Sequence, residues 1–457
     1  MTKREFKRSM RQGLGRCIIT LSEEKSIEKY KDIVLWGCLH NLAHDPQCEG
    51  TRASYIYEMT KFFNDEDYFL VPLISAFEKL PHKSGWTFSH MASILTHFSE
   101  NGNRAANDAL LNKFHKLLVV MKNRRSNCAY NQACSNLESL CVSLVSFENE
   151  QNLRMIAENL GKLFRTNPRY NWDTFYWLYS VLNFDYGNKH IRSLLKNQSE
   201  NILIFYQNYL EAQQEFQNNI PKQIQVPTAA DIMEDVDSSD TLSRTLKIRF
   251  RHQADAEEKR LLAQEIIDET NLDKKAELLS AFVLEEKGFP LHHGEIIRYS
   301  KSEHIRLQEI ALDVLVTCQS DEVRQYALKL LKQRKHVDHA LQMLICNYRP
   351  EDKHLLLTEL YCLKVDYKLT SDWHDIGLTI LRTIDQGVKL PREFFLYIYN
   401  TTLCSFCRES AIRHMGKHRW LTRDIIEECR YDSNYDISEY INRYYPPKET
   451  KTSPLSE

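Results

Sequence analysis

Glycine and proline are scarce in this chain, 13 and 12 of 457 residues. A doubly wound α/β protein or an all-β protein needs many more turn residues, so both classes are set aside. Net charge is close to nothing, −2 at pH 7, which leaves no overall field to draw the chain onto DNA, RNA or an acidic membrane. No apolar run reaches the roughly 18 to 20 residues that cross a bilayer, and no hydrophobic segment with a small-residue cleavage site opens the chain. A cytoplasmic protein without a membrane partner is expected. A G-x-x-x-x-G-K-[ST] loop, a G-x-G-x-x-G turn after a strand and a G-x-S-x-G elbow are all missing, which argues against an enzyme without excluding a site assembled from distant helices. No cofactor is expected.

Hydrophobic residues make up 42% and charged residues 27%, the balance of helices that each bury one face. The length exceeds what one core usually supports, so two domains or an elongated stack is expected. Twelve cysteines are scattered, mostly inside helical apolar patterns as at Cys38, Cys141, Cys318 and Cys346, and read as reduced, buried thiols rather than a disulfide framework.

Residues 1–16 carry Lys3, Arg4, Lys7, Arg8, Arg11 and Arg16 against one acid, Glu5, a basic N-terminal arm. From 17 to 217 apolar residues return every three or four positions, an N-terminal helical array with breaks at Pro46 to Gly50, Asn64-Asp65, Pro81 to Gly85, Asn101-Gly102, Asn167-Pro168 and Gly187. The pattern lapses over 218–243, read as a linker or long loop, and resumes over 244–445 as a C-terminal array; 446–457 reads as a disordered tail.

A short phrase recurs in the second array: Leu307-Gln308-x-x-Ala311, Val323-Arg324-x-x-Ala327 and Cys407-Arg408-x-x-Ala411. Each copy opens an amphipathic helix and sets a small residue on its buried stripe, where a neighbouring helix comes close. With Ser320-Asp321-Glu322 ahead of the second copy, the phrase resembles the HEAT-repeat superfamily, clearest at 302–335 and 404–445. That resemblance implies an all-α, right-handed solenoid of antiparallel helix pairs, in two arrays joined by a loop, with about 18 to 20 helices. It also implies a structural ladder using Asp321 and Arg324, and the arginine alone at Arg408; Gln308 departs from the pattern and would interrupt the ladder.

Several groups of side chains are candidates for chemistry. His40 and His44 are four apart, which on one helix face lets both reach a metal, and Asp45, Cys48, Glu49 and Arg52 follow. A metalloprotease helix carries Glu after the first His, and Asn41 stands there instead. The plainer reading is a polar inter-helix loop in which Asp45 or Glu49 holds Arg52 and caps the next helix; His40, His44, Asp45, Glu49 and Arg52 are the candidate binding residues. Cys404-x-x-Cys407 with His414 and His418 shares one helix face, but an unbroken helix separates its ends by about 21 Å, too far for one zinc ion. Only a break at Gly416, or a ligand from another segment such as Cys429, rescues that site; core cysteines are the plainer reading.

The aromatic run Tyr170, Trp172, Phe175, Tyr176, Trp177, Tyr179, Phe184 and Tyr186 puts Trp172, Phe175, Tyr176 and Tyr179 on one core face and Trp177 on another side. Together with Asp173 it resembles, in residue types only, the aromatic-plus-carboxylate sites of helical-repeat DNA glycosylases. Lys122, Arg124, Arg125, Lys247, Arg249 and Arg251 are the candidate nucleic-acid contacts, provided they share a surface. The acidic stretch from Glu234 to Asp240 lacks the glycine and glutamate of a calcium loop and reads as a flexible loop that contacts a basic segment.

The expected function is a non-catalytic scaffold or regulatory subunit that holds another macromolecule, a protein first, on an extended concave surface. A nucleic-acid-binding solenoid linked to DNA repair or nuclease activity is the alternative. A metal-dependent enzyme at His40 and His44 is the weaker one.

Overall fold

A computed structural model of the chain describes residues 1–81, 85–123, 128–145, 150–167, 170, 172–185, 191, 199–218, 226–363 and 371–447. The chain is all-α: among the described residues there are 26 α-helices and no strand. The excess over the expected number comes from short helices, such as Pro46–Glu49 and Arg423–Cys429, and from two segments read as irregular. The chain divides into two units, Met1–Pro221 with Thr422–Glu457, and Lys222–Leu421.

In the first unit, the segment read as a basic arm is the helix Lys3–Gln12. Thr2 and Glu5 cap its start reciprocally, and Phe6 and Met10 are buried while the basic residues face outward. Helices Lys31–Cys38, Ala53–Thr60, Gly85–Glu100, Cys128–Val145 and Tyr176–Asp185 pack in series, each on the next. One continuous core runs from Phe6 to Ala212. Helices Glu150–Thr166 and Glu200–Asn218 cross closely at Gly161, where a Cβ would overlap the Asn201 carbonyl oxygen. The C-terminal helices Arg423–Cys429 and Tyr435–Tyr444 also belong to this unit. The Ser433 amide donates to the Gly13 carbonyl at 2.9 Å, and Arg16 Nε donates to Glu428 Oε1 at 2.6 Å. Residues 422–445, expected to end the second array, thus pack with the N-terminus. The tail beyond 447 lies outside the described residues.

The second unit contains a helix where a loop was expected: Ala229–Ser239 is capped by Thr228 and Asp231, each bonded to the other's backbone amide. The part of that expected linker between 219 and 225 lies outside the described residues. Further on, helices begin at Leu272, Ile305, Val337, Ser371 and Ser405, steps of 33, 32, 34 and 34 residues, and each packs on the next in the series. Leu307, Ala311, Val323, Ala327, Cys407 and Ala411, the apolar and small positions of the repeated phrase, are all buried.

Polar bonds recur across these helices. Arg306 Nε donates to Glu277 Oε1 at 2.7 Å, and the Ser320 amide to Asn347 Oδ1 at 2.8 Å. Arg324 donates through Nε and Nη2 to the two carboxylate oxygens of Asp352, at 3.1 and 2.6 Å. Asp321 pairs instead with Arg349. Asp321 and Arg324 therefore each bond a residue 28 positions further on. Arg408 is fully enclosed in the first turn of Ser405–Lys417.

Candidate functional site

The helix expected to carry both His40 and His44 ends at Cys38, so the two histidines lie in the loop beyond it and share no helix face. His40 folds back on that helix: its ring stacks on Trp36 at 5.0 Å, and its Nδ1 is 2.8 Å from the Trp36 carbonyl. Asp45 caps the four-residue helix Pro46–Glu49 by accepting from the Gln47 amide at 3.0 Å. Its carboxyl is held below the usual range, first by a bond from the Cys48 thiol and further by the Gln47 and Cys48 amides. Glu49 accepts from Arg52 Nη2 at 3.2 Å and from the His44 amide at 3.3 Å, and Arg52 also donates to the Arg11 carbonyl. With Glu49 and Arg52 both buried, this loop is a brace between Arg11 and the helix Ala53–Thr60.

The basic residues fall in both units. Lys122 is exposed on the first; Arg124 and Arg125 lie outside the described residues. On the second, Lys247, Arg249 and Arg251 are half-buried in the helix Arg244–Gln253. Burial lowers the Lys247 ammonium below its ordinary pKa, against the pull of Glu277. Arg251 donates to the Val283 carbonyl at 2.7 Å. Arg249 lines an open cavity of about 410 Å³ with Asp231, Glu234 and Asp235. The acidic stretch meets basic groups here, and Asp237 also pairs with Lys274.

In the aromatic run, Trp172–Phe175 is a 3-10 turn and the α-helix begins at Tyr176. A 3-10 turn advances about 120° per residue, so the expected single face is broken. Phe175 and Tyr179 are buried, whereas Tyr176 is 37% exposed and Trp177 66%. The side chains of Trp172 and Asp173 lie outside the described residues. Glu138, buried on the helix Cys128–Val145, accepts from the Trp177 and Leu178 amides at 2.7 and 3.3 Å. It satisfies two of the unpaired donors at that helix start. Burial nevertheless raises the Glu138 carboxyl to about 7, the two amide bonds opposing the rise.

Among the described residues, one group brings three metal-ligating side chains together, and it is His374, Cys404 and Cys407. A three-residue connection after the helix Arg392–Thr401 positions Cys404: Thr402 Oγ1 accepts from the Cys404 amide at 3.1 Å. Cys404 is the N-cap of Ser405–Lys417 and Cys407 its third residue, so both sulfurs sit at the start of that helix. His374 comes from the first turn of Ser371–Asp385, with Nδ1 3.7 Å from Cys407 Sγ. One donor atom from each of the three lies within 4.8 Å of the other two, both cysteines are buried and His374 is half-buried.

This cluster stands apart from the other buried thiols. Burial pushes Cys17, Cys38 and Cys318 up to about 12, where a thiol is inert. The Cys404 thiol is instead pulled far down, first by a bond from Cys407, against burial, and then by His374. His414 and His418 belong elsewhere: His414 stacks on Phe395 at 4.2 Å and His418 on Trp420 at 4.8 Å. Cys429 lies in the other unit. The Cys-x-x-Cys pair was visible in the sequence, but its histidine lies 33 residues upstream. Only the spacing of the packed helix series points to it.

Searches against protein-family models and against curated proteins find no match to this chain. No relative or family model therefore supports the HEAT resemblance. No helix of the described residues is long and apolar enough to cross a membrane.

Proposed function

We propose that the chain is a non-catalytic scaffold or regulatory subunit that holds another macromolecule, a protein first. We further propose that its second unit is a right-handed, HEAT-like stack of antiparallel helix pairs. The helix starts 32 to 34 residues apart, each helix packed on the next, support that architecture. A stack of this kind offers long lateral surfaces in place of one deep pocket.

The observation that carries the binding role is Trp177. Its ring stands 66% exposed with Tyr176 beside it, edge to face at 5.6 Å, on a helix start that the buried Glu138 clamps through two amides. Glu138 fixes the backbone that carries the pair, and Trp and Tyr are the side chains that most often dominate interface energetics. The basic residues of the second unit favour no second reading, since Arg249 and Arg251 face Asp231 and the Val283 carbonyl.

The test is affinity purification of the full chain and its Trp177→Ala variant, with recovered protein and nucleic acid both quantified. A protein recovered in fixed ratio, rebinding when purified and lost with Trp177→Ala at unchanged thermal stability, supports the reading. Recovery of nucleic acid that a modest rise in salt removes replaces it with the nucleic-acid alternative.

A further inference from the structure

We propose that His374, Cys404 and Cys407 bind a zinc-class divalent cation, supplying three donors from the described residues. The inference is independent of the scaffold reading.

The donor set is the first argument. Two thiolates and an imidazole suit zinc, cobalt and similar borderline-soft cations, and they are poor ligands for magnesium or calcium. Geometry is the second. Tetrahedral zinc, with bonds of about 2.3 Å to sulfur and about 2.0 to 2.1 Å to nitrogen, sets its donor atoms about 3.5 to 3.8 Å apart. Cys407 Sγ and His374 Nδ1 are 3.7 Å apart, and the full triad falls within 4.8 Å. Small side-chain rotations close the remainder.

The third argument is how the donors are delivered. Cys-x-x-Cys across an N-cap and first turn brings both sulfurs to the start of one helix, within 4.8 Å of each other. The histidine enters from the adjacent helix of the packed series, so a bound ion would clip Ser371–Asp385 to Ser405–Lys417. Burial of both cysteines keeps their side dry, and the half-buried His374 marks where the cation enters. The two sulfurs are also close enough to invite a different fate, a disulfide, which requires them to approach to about 2.05 Å. The experiment separates the two.

Full-length protein is produced in zinc-supplemented medium, dialysed against metal-free buffer and assayed for metal by mass spectrometry. One zinc per chain is expected, released in step with thiol titration by a mercurial. Cobalt added to the stripped protein should give thiolate-to-cobalt charge-transfer absorption and intense four-coordinate d–d bands. Cys404→Ser, Cys407→Ser and His374→Ala should each lose the metal, and Cys362→Ser, at an exposed thiol elsewhere, should keep it. His374→Ala guards against misfolding, because that side chain is only half-buried, and circular dichroism checks each variant. The proposal is overturned by reduced, folded protein that takes up neither zinc nor cobalt at micromolar concentration, or by metal that persists in the Cys404→Ser/Cys407→Ser double variant. It is equally overturned by a Cys404–Cys407 disulfide whose reduction restores no metal uptake.

Discussion

Arg16 Nε donates to Glu428 Oε1 at 2.6 Å, joining residues 412 positions apart in the chain. The bond marks where the C-terminal helices dock on the N-terminal ones. Gly15 makes the approach feasible, since a Cβ there would overlap the Glu428 carbonyl oxygen. The Arg16 side chain is 30% exposed and that of Glu428 13%, so solvent screens the pair only in part and it contributes about 1 to 2 kcal/mol. The steric fit matters more. Gly15→Ala is expected to cost about 1 to 3 kcal/mol in chemical denaturation and to expose 422–447 to limited proteolysis, while Arg16→Ala leaves the protease pattern unchanged.

Arg324 and Asp352 form a two-pronged pair with both side chains under a tenth exposed. Removing Asp352 leaves the buried Arg324 with only the exposed Glu351, whose Oε1 is 3.8 Å from Nη2. Asp352→Ala is expected to destabilise by about 2 to 4 kcal/mol in urea denaturation, Glu351 offsetting part of the loss. The neighbouring pair Asp321–Arg349 is largely exposed, and Asp321→Ala should cost under about 1 kcal/mol.

His339, in the helix Val337–Cys346, has Nε2 3.0 Å from Asp313 Oδ1 and Nδ1 3.1 Å from Asp338 Oδ2. Burial by itself would lower its pKa, but the bonds to Asp313 and Asp338 outweigh it and raise the value from 6.5 to about 9. A raised cationic group stabilises the fold fully below its unfolded value. That contribution is lost as pH rises from about 6.5 through about 9. His339→Gln is therefore expected to lose about 1 to 3 kcal/mol at pH 6 and almost nothing at pH 10, read from melting curves across that range.

Glu138 also costs stability as pH rises, but at lower pH and because burial favours its neutral form. With its carboxyl raised to about 7 from 4.5, the folded state holds a proton that the unfolded state releases. The Glu138 contribution therefore turns unfavourable as pH climbs from about 4.5 to about 7 and is constant above that. Glu138→Gln keeps an oxygen for the Trp177 and Leu178 amides and removes the buried charge. It should raise stability by about 1 to 3 kcal/mol at pH 8 and leave it unchanged at pH 4.

These sites differ in how far the sequence discloses them. The buried stripe of the repeated phrase was readable because Leu307, Ala311, Val323 and Ala327 follow helical spacing, and periodicity is the strongest local signal. Helix starts were readable too: Asp65 caps Glu66–Lys79 and Ser320 caps Asp321–Lys332. The helix Lys3–Gln12 was overlooked although Thr2-x-x-Glu5 is a capping box, since its basic residues suggested an arm. Thr228 and Asp231 gave the same signal for Ala229–Ser239, masked by acidic and small residues that favour loops. Glu138 and His374 carry no local signature. Each acquires its role from a partner on another helix 33 to 40 residues away.

The binding role is tested most directly by placing a photoreactive benzoylphenylalanine at position 177 and irradiating intact cells that express the full chain. A discrete cross-linked species is predicted, containing one recurrent protein, present at 177 and missing when the probe replaces Tyr435, an exposed aromatic elsewhere in the same unit. An irradiated chain that stays uncross-linked at 177, or gives the same adducts from both positions, contradicts the account.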